Sequence, residues 1–257
     1  SAAGTTALLV GINAKGVLAA GSTAAAATDL NPFVKIDADG TVTVIIKHFE
    51  MGQGTTTGLT TLVAEELDAN WDTVVPEFAP ADVERYKNLF FGAQGTGGST
   101  SIANSFMQYR EAGAAARDLL VRAAAQSWGV DASTITVENG MLSSGGKSGH
   151  FGEFVAIAAT LSPVEKPAVK TPDQFKLIGS DKLHRKDNTG KTNGTAMFAM
   201  DVNLPGMIYA AIIRSPKFGG TVVSFDDSVA KDVGGFIAAQ VLPNKAGVVA
   251  FGKNTWA

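Results

Sequence analysis

Two glycine-rich polar segments, about forty residues apart, constrain this chain more than any other feature. The first is Glu50-Met51-Gly52-Gln53-Gly54-Thr55-Thr56-Thr57 and the second is Gly95-Thr96-Gly97-Gly98-Ser99-Thr100-Ser101. Each leads into a stretch that reads as a helix. Thr57 to Ala69 carries Leu59, Leu62, Val63 and Leu67 near a period of 3.6, and Asn104 to Trp128 is Ala-rich and stops before Gly129. Glycines let a ligand approach the main chain without meeting a Cβ. A helix start adds free N–H groups and partial positive charge. Two such loops predict a large ligand anchored at several points.

The spacing excludes the common nucleotide motifs. Gly52, Gly54 and Gly58 are one residue too long for the dinucleotide fingerprint. Gly145-Gly146-Lys147-Ser148 would need glycine at position 141 to be a phosphate loop, and that residue is Met141. Gly190-Lys191-Thr192 fails in the same way. The chain has no cysteine, so it can hold no disulfide, thiolate metal site or iron–sulfur cluster. Its histidines, His48, His150 and His184, share no metal-site spacing, so no metal ligands are assigned. A net charge of −3 with scattered Lys and Arg gives no support to nucleic-acid binding.

Around the loops, Phe33 to Ile36 and Thr41 to Ile46 read as strands joined by the turn Asp37-Ala38-Asp39-Gly40. Val74 to Phe78 reads as another strand. Thr134 to Glu138 and Met141-Leu142 form a hairpin about Asn139-Gly140, and Phe151 to Leu161 reads as a short helix. Residues 162–186 form a Pro- and Lys-rich connector. From 187 the texture changes to short β-rich segments at 207–214, 221–225, 236–242 and 248–251, a second and smaller α/β unit that stops without a terminal cap. The first thirty residues contain the apolar run Ala7 to Ile12 and an Ala-rich stretch. They read either as the remnant of an export signal or as an N-terminal arm, with order beginning near Asn31-Pro32. Glu65-Glu66 reads as a solvated face, because adjacent helical residues point in different directions. Ser99 and Ser101 have no histidine placed beside them in sequence to make a nucleophile.

Several blocks together resemble a known family. Asp39 to Val42, Glu50-Met51-Gly52-Gln53-Gly54, Ala64-Glu65-Glu66-Leu67-Asp68-Ala69, Thr96 to Ser101 and Arg110 to Arg117 are among them. So are Trp128-Gly129-Val130, Glu138-Asn139-Gly140, Asp201 to Ala211 and Arg214 to Gly220. They resemble the molybdopterin-binding subunit of the xanthine dehydrogenase/aldehyde oxidase family, in the branch of the isoquinoline 1-oxidoreductase β-subunit. The resemblance implies an α/β (α+β) fold: part of a molybdenum-cofactor-binding domain at 31–161, then an incomplete hammerhead-like α/β domain at 187–257. It assigns the holding of a molybdopterin cytosine dinucleotide with molybdenum to Gly52, Gln53, Gly54, Thr96, Gly97, Gly98, Ser99, Thr100 and Ser101.

The implied reaction is hydroxylation of an aldehyde or of a carbon beside a ring nitrogen, with water as oxygen source and a glutamate as base. That glutamate belongs to a motif absent here, so no catalytic residue is expected on this chain and Glu50, Glu65 and Glu66 are not candidates. The implied partners are a C-terminal remainder, an iron–sulfur subunit with 2Fe-2S clusters, a haem-bearing cytochrome c subunit and a small-molecule substrate. The apolar leader resembles the tail of a twin-arginine signal, which implies a periplasmic location. The rival reading is a non-catalytic binding module that kept the glycine loops and lost the catalytic half.

Overall fold

The computed structural model describes residues 7–13, 16–22 and 32–257. They form two compact units, Ser1–Gly194 and Thr195–Ala257, each described by itself below.

The first unit is built on a five-stranded sheet. Its strands are β1 (Ala7–Asn13), β2 (Gly16–Ser22), β3 (Pro32–Ile36), β4 (Val42–Ile46) and β5 (Val75–Phe78). Their order is β2-β1-β3-β4-β5, and only the β4–β5 pair is parallel. A parallel neighbour needs a crossover, and helix α1 (Thr55–Leu67) supplies it. The expected start of order near Asn31 is therefore corrected. The run Ala7 to Ile12 lies within β1, which pairs with both β2 and β3, and Leu8 and Val10 are fully buried.

A single turn, α2 (Val83–Tyr86), precedes the long helix α3 (Thr100–Trp128). The core forms where α1 and α3 meet the sheet: Phe33, Val34, Ile36 and Val44 from the strands, Leu59, Val63 and Leu67 from α1, and Tyr109, Leu119 and Leu120 from α3, all fully buried. Tyr109 fills this core and also ties α3 to the end of β4. Its hydroxyl donates to Ile45 O at 2.6 Å and accepts the Lys47 N–H at 3.1 Å. Its ring stacks on Phe33 at 4.9 Å.

Beyond α3, β6 (Thr136–Glu138), β7 (Met141–Ser144) and β8 (Lys147–His150) make an antiparallel meander. Asn139-Gly140 and Gly145-Gly146 turn it, all four with positive φ as a tight type I′ hairpin requires. The phosphate-loop look-alike at Gly145-Gly146-Lys147 is thus a hairpin turn. The helix expected over 151–161 shrinks to a 3₁₀ turn and α4 (Val155–Ala158). Just beyond the expected connector, α5 (Asn188–Asn193) closes the first unit.

The second unit is a three-stranded antiparallel sheet of β9 (Tyr209–Arg214), β10 (Phe236–Val241) and β11 (Gly247–Gly252), ordered β10-β11-β9. The strand expected at 221–225 does not form. Val222 makes one backbone bond, donating to Lys245 O at 2.9 Å, and no ladder follows.

Candidate cofactor site at two adjacent helix starts

α1 and α3 run side by side in the same direction. Gly58 of α1 faces Ile102 of α3, Glu66 meets Arg110, and Asp68 at the end of α1 meets Arg117. Because the partners advance together along both helices, the two N-termini lie at one end. Glycine sets how close they come: a Cβ on Gly113 would lie 2.8 Å from Val63 O. Each helix is entered through a left-handed residue, Gly54 (φ 88°) for α1 and Ser99 (φ 56°) for α3, and neither entry residue caps its helix with its own side chain.

The two glycine loops are joined directly. The Phe49 N–H donates to Thr96 Oγ1 at 2.8 Å. His48 bridges the same gap, with Nδ1 3.2 Å from Gly95 O and Nε2 3.0 Å from Ser105 Oγ. A carbonyl only accepts, so Nδ1 carries the proton and Nε2 accepts the Ser105 hydroxyl. Burial, and then the charge of Lys47, hold the His48 pKa below its ordinary value, which favours this neutral form. Ser105 is fully buried, so the Ser–His pair is a tether and no substrate reaches it. Asn88, also fully buried, supports the second loop: its amide donates to Thr100 Oγ1 at 2.7 Å and accepts from Asn104 at 3.2 Å.

The predicted site residues therefore come together, on different terms. Gly52, Gln53, Gly97, Gly98 and Ser99 are exposed, Thr96 holds the other loop, Thr100 opens α3 and Ser101 is buried in its first turn. A Cβ built on Gly52, Gly54 or Gly97 would meet nothing within 4 Å, so these backbones face open space.

One expectation is corrected. Three N–H groups of the first loop are filled from within: Glu50 Oε1 accepts from Gly52 at 2.7 Å and Gly54 at 3.0 Å, and Oε2 accepts from Thr56 at 2.9 Å. Burial would raise the Glu50 carboxyl pKa, but these three donors outweigh it and hold it below its ordinary value. The Gln53 amide also folds back on its own loop, accepting from Met51 N at 2.6 Å and donating to Phe49 O at 2.7 Å.

Glu65 and Glu66 are corrected too, since both are 1% exposed rather than solvated. They share one partner. Lys170 gives its ammonium to Glu65 at 2.8 Å and its N–H to Glu66 at 2.8 Å, while Arg110 pairs with Glu66 at 2.6 Å. Adjacent helical residues do diverge, and the stretch of chain at 170–178 spans both directions.

An open cleft of about 490 Å³ runs beside the first loop, lined by Lys47, His48, Phe49, Phe78, Val83 and Gln94. Among the described residues no three His, Asp or Glu groups converge as a metal site. No helix there is long and apolar enough to cross a membrane.

Lys47 is buried against two neutral acceptors, Lys87 O and Gln108 Oε1, with no carboxylate partner among the described residues. Burial lowers its pKa from 10.5 to about 8. Between those values the unfolded chain binds the extra proton, so stability rises with pH there; below about pH 8 the deficit is complete. Lys47→Met should therefore stabilise the chain at pH 7 by roughly 1–3 kcal/mol and flatten that rise. Urea unfolding at pH 7 and near pH 10 checks both.

A family model described as molybdopterin cofactor-binding domain matches residues 8–204. The chain belongs to this family. The beta chain of isoquinoline 1-oxidoreductase from Brevundimonas diminuta is 34% identical over 260 residues, covering 87% of this chain and 33% of that protein. The membrane-bound aldehyde dehydrogenase [pyrroloquinoline-quinone] of Gluconacetobacter polyoxogenes is 33% identical over 217 residues, covering 82% of this chain and 27% of that protein. A nicotinate dehydrogenase subunit of Pseudomonas putida is 30% identical over 232 residues, covering 86% of this chain and 19% of that protein. The chain thus spans a third or less of the length of these relatives. The membership bears out the resemblance drawn from the glycine loops and the blocks around them. His48, Asn88, Asn104 and Ser105, which shape the site, carried no sequence signal because their partners lie far along the chain.

Proposed function

We propose that this molybdopterin cofactor-binding chain supplies one wall of the site for a molybdopterin dinucleotide, in its cytosine form. The assembly would be a molybdenum hydroxylase that oxidises an aldehyde or an N-heterocycle with water as oxygen source. The observation that carries this reading is the pair of abreast helix starts, fronted by glycine backbones with open space above them. A large ligand with several polar groups fits such a platform, because glycine admits it close to the main chain and uncapped α3 offers free N–H groups.

Bound there, the molybdenum group would supply the redox chemistry. This chain's part is to bind and orient. Thr96 to Ser101 would hold polar groups of the ligand by the exposed Ser99 hydroxyl, the Gly97-Gly98 backbone and the α3 start, with Thr96, Thr100 and Ser101 shaping the loop, and Gly52 and Gly54 would admit it sterically. None of the carboxylates beside the site is poised as a base. Glu50 already accepts three N–H donors, and Glu65 accepts three N–H donors and an ammonium. The general base is therefore placed by this reading on the part of the subunit that relatives carry beyond the matched third. With no cysteine on this chain, electrons would leave through an iron–sulfur or haem partner. The three-stranded unit Thr195–Ala257 is read as the hammerhead-like domain.

The test is the metal and pterin content of the native assembly. Molybdenum and a pterin dinucleotide in equal amounts are expected, together with iron; zinc or magnesium alone would overturn the reading. The isolated chain is expected to give no aldehyde-dependent dye reduction.

A further inference from the structure

The carboxylate of Glu50 sits where an outside anion would be drawn at the start of α1. Its side chain is 4% exposed. Three backbone donors close on it from the turn and the first turn of the helix, at 2.7, 2.9 and 3.0 Å. A cation closes the remaining side. Arg185 Nη2 lies 3.3 Å from Glu50 Oε1, and Arg185 Nη1 donates to Gly52 O at 3.0 Å. The guanidinium thus grips both the carboxylate and the turn that the carboxylate shapes.

Arg185 is itself held from behind. Asp187 accepts from its Nε at 3.1 Å and its Nη2 at 2.9 Å, and Lys191 pairs with the same Asp187. The next residue fastens the segment to α1, since the Lys186 N–H donates to Thr57 Oγ1 at 3.0 Å. Its ammonium bonds Trp71 O and lies 4.4 Å from the centre of the Trp71 ring. Residues 185–187 therefore form a strap across the start of α1, more than a hundred residues away in sequence.

We propose that Glu50 and Arg185 are positioning residues, an ionic latch that sets the Gly52-Gln53-Gly54 turn before any ligand arrives. The latch turns the N–H donors of Gly52, Gly54 and Thr56 inward and leaves the glycine faces outward. This inference rests on the cofactor reading of the site and sharpens it. The start of α1 already holds its anion, and a ligand phosphate brought there would meet the Glu50 charge at close range. The first loop thus contributes shape to the ligand through its open glycine faces, and the N–H groups of Gly52, Gly54 and Thr56, already held by Glu50, contribute nothing.

Hydrogen exchange of the peptide spanning residues 50–57 tests the latch, because the amides of Gly52, Gly54 and Thr56 report it directly. Glu50→Ala should speed their exchange by about tenfold or more, as expected when charge-assisted bonds at a helix start are lost. Acetate should restore slow exchange in Glu50→Ala, and chloride at equal ionic strength should not. Arg185→Gln should speed exchange less, and Glu50→Gln should lie between wild type and Glu50→Ala without answering to acetate. Pterin retention by the subunit should fall in Glu50→Ala and recover with acetate. Wild-type exchange rates in Glu50→Ala, or equal effects of acetate and chloride, would overturn the latch. A wild-type subunit that holds no pterin would overturn the cofactor reading, and the exchange result would then decide the latch by itself.

Discussion

Replacing Glu65 by alanine is expected to cost about 3–5 kcal/mol and to free residues 170–178 from α1. The Glu65 side chain is fully buried and meets four donors. Oε1 pairs with Lys170 Nζ at 2.8 Å, and Oε2 accepts the N–H groups of Lys176, Leu177 and Ile178 at 2.9, 2.6 and 3.0 Å. One carboxylate thus organises a turn of irregular chain more than a hundred residues away. Alanine would leave an ammonium and three N–H groups facing a hole, and each buried orphan carries its own desolvation penalty. Against a typical total stability of about 5–15 kcal/mol, that loss is large.

The pH dependence fixes the mechanism. Burial would raise the Glu65 pKa, but Lys170 and the three N–H donors outweigh it and hold it below its ordinary value of 4.5. A depressed carboxylate contributes its full stability above the unfolded pKa and loses it as pH falls through the folded value. The gap between wild type and Glu65→Ala should therefore be widest near pH 7 and narrow below about pH 4.5. Urea unfolding across that range is the measurement. A gap that stays constant with pH would mean that Glu65 acts by packing and not by charge.

Gly113→Val is the second large effect. The new Cβ would sit 2.8 Å from Val63 O, 3.2 Å from Val63 Cα and 3.0 Å from Glu66 Cβ. Two of those three atoms are backbone, so rotamer changes cannot relieve them and the helices must part. Overpacking of this kind costs about 1–3 kcal/mol, and a branched side chain belongs at the upper end. Gly113→Ala places the same Cβ against Val63 O and should also destabilise, but less than valine, since it adds no further methyl groups and returns up to about 1 kcal/mol of helix propensity. Because α1 and α3 also present the two glycine loops, Gly113→Val should spread them as well. Thermal unfolding gives the stability cost, and exchange at Phe49, whose N–H spans the loops to Thr96, gives the spreading.

Local chemistry made much of this fold legible. The turn Asp37-Ala38-Asp39-Gly40 and the Asn139-Gly140 hairpin follow from residues that tolerate tight turns, and both helices after the glycine loops follow from periodicity. α3 begins four residues before the expected Asn104, at Thr100, because Ser99 takes the left-handed entry. What sequence hid was long-range. Glu65 and Glu66 look like surface charge until Lys170 and Arg110 arrive. Among the described residues, the His48 ring has no hydrogen-bond partner nearer in sequence than Gly95. The first two strands were not expected because an apolar run has no period that separates a buried strand from a signal segment. Residues 221–225 show the converse, β-prone side chains with no neighbouring strand to pair with.

The meeting of the two loops was legible, and their internal bonding was not. Two glycine loops before two helices predicted a shared platform, and the structure brings them within one hydrogen bond. Nothing in the sequence hinted that Glu50, inside the motif itself, takes three of the N–H groups that made the first loop attractive.

The most direct test of the central claim is the amount of pterin held by the native subunit, compared with a Gly97→Val variant. Gly97 has open space where a Cβ would go, so valine there should leave the fold intact and fill the proposed seat. One pterin dinucleotide per wild-type chain, and at least about a tenfold loss in Gly97→Val with an unchanged unfolding midpoint, is the predicted result. Equal pterin content in the two proteins would contradict it.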